Sequence, residues 1–158
     1  MRSDYSRDEL IQHSCVASDL LELWEEAGVF QVDVGGKYTL HHLVQAVVCD
    51  RLYRLGLQHS ALRAACRALD SSWQSGAPVA FSTGQTNLWI SFSHSQIGRH
   101  GARMEAVGMR LRSAPVTRVV NDVELLSEIR HDGRFGIVLN LTPIVREVEE
   151  RSGDKLIP

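Results

Sequence analysis

Cysteine, proline and aromatic residues are all sparse in this chain, and neither sign of charge dominates it. The three cysteines, Cys15, Cys49 and Cys66, are odd in number and widely spaced. That excludes a dense disulfide framework and predicts reduced thiols on or beside apolar helical faces. Lys and Arg number 17 against 19 Asp and Glu, a near balance that excludes a strongly acidic or basic tail. No apolar run approaches the roughly 20 residues of a membrane-spanning helix, and the polar N-terminal stretch lacks a signal-peptide core. A cytoplasmic protein without membrane association is therefore expected. With 44% hydrophobic residues and no low-complexity segment, the chain is long enough for one sizeable core or two small ones.

Local signals divide the first seventy residues into four helices. Ser6-Arg7-Asp8-Glu9 is a capping-box sequence that starts a helix through Leu10 and Ile11, ending near His13 to Cys15. In VASDLLELWEEAGVF, Val16 to Phe30, the residues Leu20, Leu21, Leu23, Trp24 and Ala27 form an apolar stripe. Ser18 suits the N-cap, Gly28 suits the stop, and Glu22, Glu25 and Glu26 fall on the other face. Val29 to Tyr38 alternates weakly about Gly35-Gly36, which signals a two-stranded hairpin. Thr39 can cap a third helix with Leu40, Leu43, Val44, Val47 and Val48 inward, ending before Gly56, and Leu62, Ala65, Cys66 and Leu69 repeat the spacing in a fourth.

The Val16 to Phe30 stretch resembles the second helix of MerR-type winged helix-turn-helix domains, whose line is close to V-S-x-D-T-L-R-Y-Y-E-x-x-G-L. Val16, Asp19, Leu21, Glu25 and Gly28 stand in matching places without a gap, Trp24 takes the second aromatic position, and Val29-Phe30 supply the apolar pair. Glu22 stands where the family usually has Arg, and Gly36 replaces an Arg of the wing. Gly35 to Thr39, Leu43 to Leu57 with its closing Leu-Gly-Leu, and Ser60 to Leu69 are similar to the wing end and to the third and fourth helices. The resemblance covers roughly residues 1–70 and implies a DNA-binding transcriptional regulator, acting as a homodimer on a two-fold symmetric site of double-stranded DNA.

A polar stretch, Asp70 to Pro78, marks a boundary. The expected organisation is a MerR-like domain at 1–70, a linker at 71–78, and an α+β domain at 79–158 for dimerisation or for binding an effector or partner. Gly76 and Pro78 preclude the long coiled-coil helix of the commonest MerR architecture. Val79-Ala80-Phe81 and Leu88 to Phe92 read as a hairpin with Leu88, Ile90 and Phe92 on one face, and Val107 to Leu111, Val116 to Val120 and Phe135 to Leu139 as further strands. Asp122 to Arg130 reads as a helix. Thr142 as cap and Pro143 at the first position open the last helix, with Ile144, Val145 and Val148 packed on a sheet. The expected fold class is α+β, an N-terminal four-helix winged helix-turn-helix, as the resemblance implies, followed by a small α+β domain.

Charge complicates the regulator. Residues 1–70 hold seven Lys and Arg against ten Asp and Glu, whereas duplex binding rests largely on neutralised phosphates. If the resemblance holds for function, Arg2, Arg7, Lys37, Arg51 and Arg54 are the phosphate contacts, Ser18 and Tyr38 neutral donors, and Glu22 an acceptor for a cytosine amino group. The alternative is a protein-interaction adaptor similar to the CbpM-like chaperone modulators, with the acidic second helix bound to a basic partner. A phage or plasmid DNA-handling protein on the same winged domain is a third reading.

No catalytic residue, metal site or cofactor is assigned. His41 and His42 are adjacent, do not share a helical face, and are expected to be solvated or to cap locally. His94 beside Ser93 and Ser95 lacks a positioned acid or oxyanion hole, and His100 and His131 add no pattern.

Overall fold

Among the described residues the fold is mixed α+β, four N-terminal helices followed by a small three-stranded antiparallel sheet with two further helices. The computed structural model describes residues 4–29, 32, 36–74, 86–92, 116–132 and 135–155. The helices α1 (Arg7–Ser14), α2 (Ser18–Glu26), α3 (Leu40–Arg54) and α4 (His59–Gln74) precede β1 (Thr86–Phe92), β2 (Val116–Asn121), α5 (Asp122–Asp132), β3 (Phe135–Asn140) and α6 (Leu141–Ser152).

Helix starts follow local chemistry. The Ser6 hydroxyl accepts the Glu9 N–H at 3.2 Å while the Glu9 carboxylate accepts the Ser6 N–H at 2.8 Å, a reciprocal cap that satisfies two otherwise orphaned donors. Asn121 and Glu124 do the same for α5, at 2.9 and 3.1 Å. Two expected caps are displaced. Ala17, not Ser18, holds the N-cap position of α2 and offers no side-chain acceptor. Asn140, not Thr142, caps α6 by accepting the Thr142 N–H at 3.0 Å, which puts Pro143 two positions deeper, still within a first turn that needs no N–H from it. Gly28 ends α2 with φ +65°, the left-handed conformation that costs glycine least.

One hydrophobic cluster runs through both halves of the chain, from Leu10 of α1 and Trp24 of α2 through Leu43 and Leu52 of α3 and Leu62 of α4 to Ile90 of β1 and Ile144 of α6. At its centre α3 is buried on nearly every side, Gln45 and His42 included, because it packs against α1, α4 and α6. The boundary expected at 71–78 begins inside α4, which continues to Gln74, and residues 75–78 lie outside the described ones. In α2, Leu21 and Trp24 are buried as the apolar stripe predicts, whereas Leu23 is exposed.

β1 is the middle strand, with β2 on one side and β3 on the other, both antiparallel to it. β2–α5–β3 is thus a split crossover whose parallel strands are held apart by β1. Leu88 and Ile90 enter the common core. Gly136 of β3 lies beneath Trp89, where an added Cβ would come within 2.2 Å of the indole and 2.7 Å of the Ile90 carbonyl oxygen. Val79 to Phe81, Val107 to Leu111, His94, His100 and residues 30, 31 and 33–35 of the expected hairpin fall outside the described residues. Of the hairpin expected over Val29 to Tyr38, the described part includes Tyr38, whose N–H and carbonyl pair with those of Tyr5 at 3.0 and 2.7 Å.

Candidate functional site

The outward face of α2 carries Ser18, Asp19, Glu22 and Glu26, all exposed. Their spacing follows from the burial of Leu21 and Trp24 on the opposite side, where Tyr53 of α3 meets the Trp24 ring edge-to-face at 6.0 Å. Among the described residues none of these three carboxylates forms an ion pair, although Asp19 accepts the N–H of Leu20 at 3.0 Å.

Glu25, one position away, is turned inward and half-buried. One of its oxygens accepts the Tyr38 hydroxyl at 2.6 Å and the other binds the Arg7 guanidinium at 2.9 Å. Burial, then the hydrogen bond to Glu25 and its charge, push the Tyr38 phenol up to about 12, against a smaller opposing pull from Arg7. Lys37 pairs with Asp4 at 2.8 Å close by. Arg7, Lys37 and Tyr38 are therefore gathered at one end of the molecule, next to α2.

Arg51 and Arg54 are not part of that group. Arg51 reaches across to Glu147 of α6, which also holds Arg151 at 2.6 Å, and Arg54 pairs along its own helix with Asp50 at 2.7 Å. Of the residues expected to contact DNA, Arg7, Lys37, Arg51 and Arg54 each sit on a carboxylate, Tyr38 is buried, and Ser18 and Glu22 stand free on the surface. Arg2 lies outside the described residues.

No protein-family model and no curated protein sequence matches this chain.

A second feature, with no motif to announce it, is a groove of about 530 Å³ between α4 and the start of α3. His41 is not solvated there as expected. Its Nε2 meets Asp70 at 2.6 Å, and its ring packs on Trp73 with centroids 4.3 Å apart. Burial lowers the His41 pKa, although the hydrogen bond and charge of Asp70 pull the other way. A neutral ring facing a carboxylate carries its proton on Nε2, which leaves Nδ1, buried and without a partner, as a bare acceptor. Gln45 donates to the same Asp70 oxygen at 2.8 Å. His42 caps α3 locally, its Nδ1 accepting the Thr39 N–H at 2.9 Å.

Cys49 and Cys66 face each other between α3 and α4 with sulfurs 3.4 Å apart, both buried, and burial raises the Cys49 thiol pKa. Cys15 departs from the expected apolar setting, for it is exposed at the left-handed end of α1. Among the described residues no helix is long and apolar enough to cross a membrane, and no three His, Cys, Asp or Glu converge as metal ligands would.

Proposed function

We propose that this chain is a protein-interaction adaptor that presents the acidic face of α2 to a Lys/Arg-rich surface of a partner. One contrast carries the reading: Asp19, Glu22 and Glu26 are exposed without ion pairs among the described residues, while Arg7, Lys37, Arg51 and Arg54 are each held by a carboxylate. The field outside α2 therefore attracts cations and repels phosphate, and exposed charge of one sign raises the association rate of a partner of the other. Leu23, exposed beside these carboxylates, supplies apolar contact area. Three free thiols suit a reducing compartment such as the cytoplasm.

A second reading, the MerR-like regulator acting as a homodimer on double-stranded DNA, has one observation in its favour. Arg7 and Tyr38 meet on Glu25 in the last turn of α2 and Lys37 adjoins Tyr38, which groups two basic side chains and a neutral donor that a phosphate can use. Exposed ion pairs such as Lys37–Asp4 contribute only about 0–1 kcal/mol and would yield to phosphate at little cost.

The experiment that tests the adaptor titrates the protein with a Lys/Arg-rich helical peptide and, separately, with mixed genomic DNA fragments at two salt concentrations. The adaptor requires peptide binding that is lost on Glu22→Lys or Glu26→Lys, and no selected DNA site. Salt-dependent selection of one DNA sequence, with nonspecific affinity rising on Glu22→Arg, would replace it with the regulator.

A further inference from the structure

We infer that the groove between α4 and the start of α3 is a binding site for a small monoanion, an aromatic carboxylate, which goes beyond the partner surface proposed for α2. The cavity of about 530 Å³ is the size of a small-ligand pocket. Its charges are not balanced from within. Asp70, the acidic residue of the lining, is occupied by His41 and Gln45. Arg63 and Arg67 lie one turn apart on the α4 wall and are both exposed. Arg63 gives one N–H to the Ala27 carbonyl oxygen at 3.0 Å and keeps the rest of its fork, and Arg67 forms no ion pair among the described residues.

Among the described lining residues two guanidinium groups stand against one carboxylate, and burial disfavours a charge on His41, so a single positive charge is in excess. Like charges four residues apart on a helix repel, so a carboxylate bridging Arg63 and Arg67 removes a penalty as well as adding two charge-assisted contacts. That sets these arginines apart from Arg7, Arg51 and Arg54, whose charge is already met inside the protein.

Trp73 specifies the rest of the ligand. Its indole is only half-buried, packed on His41 and lining the same groove, so an aromatic ring attached to the carboxylate finds a flat apolar surface. The Cys66 and Val29 side chains add apolar lining, and Gln45 and Thr39 add polar lining.

The test is calorimetric titration of the full chain with benzoate, acetate and inorganic phosphate at low ionic strength. Benzoate should bind more tightly than acetate or phosphate, and Arg67→Ala should weaken it about tenfold, the loss expected for one charge-assisted contact. Arg67 is exposed, so that variant should melt at the wild-type temperature; Arg67→Lys, which keeps the charge without the fork, should fall between the two. Trp73→Leu should remove the preference for benzoate over acetate. No heat of binding with millimolar benzoate, phosphate binding more tightly than benzoate, or benzoate affinity indifferent to Arg67→Ala would each overturn the assignment. Because none of these substitutions lies on α2, failure here is separable from failure of the adaptor reading.

Discussion

The hydroxyl of Tyr38 donates to Glu25 at 2.6 Å, tying the residue that precedes α3 to the last turn of α2. Arg7 binds the other oxygen of the same carboxylate, so three segments of the N-terminal half meet on one side chain. The acidic face of α2 is oriented through this junction, since Glu25 points inward where Glu22 and Glu26 point out.

Removing the hydroxyl isolates that contribution. Tyr38→Phe should destabilise the fold by about 1–2 kcal/mol, the usual worth of a hydrogen bond to a charged group in a partly buried setting. A lower urea midpoint with an unchanged slope is the expected signature.

The same pair predicts an alkaline limit. A phenol raised from 10.0 to about 12 in the folded state favours folding while protonated. Its contribution is fully present below pH 10 and declines as pH rises through 12. Tyrosinate absorbance at high pH should include a late step from Tyr38. Tyr38→Phe should abolish the late step.

His41 predicts the opposite limit. Burial holds its pKa below the ordinary 6.5, so the unfolded chain takes up a proton first. Stability from the neutral ring is present above pH 6.5 and drains away as pH falls until the buried ring itself is protonated. Melting temperatures of wild type and His41→Gln between pH 7.5 and 5 should converge on acidification, and parallel curves would contradict the buried, neutral assignment.

Thiol accessibility checks the packing of α3 on α4. Cys15 is exposed, whereas Cys49 and Cys66 are buried and the Cys49 thiolate is suppressed. Mass spectrometry after brief alkylation of the native protein should find a single modified cysteine, and three after denaturation.

Gly136 reports on the sheet. A methyl group there collides with the Trp89 indole and with the Ile90 backbone, which cannot both withdraw. Gly136→Ala should therefore cost about 1–3 kcal/mol, as overpacking does elsewhere, visible in chemical denaturation.

How much of this could be read in advance follows from the range of each interaction. Ser6 with Glu9, Gly28 after α2, and the apolar spacing of Leu43, Val44, Val47 and Val48 are local, and local chemistry is enough to set where those helices run. The strands at Val116–Asn121 and Phe135–Asn140 were legible for the same reason. Cap assignments one or two residues off, Ala17 for Ser18 and Asn140 for Thr142, show the limit of that reading: at α6 two neighbouring polar residues compete for the same N–H groups, and at α2 the backbone turns helical at Ser18 with no side-chain cap at all.

The amino-acid sequence by itself determined the described helices, the described strands and the outward Glu22 and Glu26 of α2, though not the inward turn of Glu25, since periodicity and capping act within a few residues. Only the tertiary structure decided that α6 and β1 share a core with the four N-terminal helices, that Arg51 is taken by Glu147, ninety-six positions away, and that His41 and Asp70 meet across a groove flanked by Arg63 and Arg67. Those pairings depend on which surfaces close upon each other when apolar area is withdrawn from water, and no local pattern carries that information.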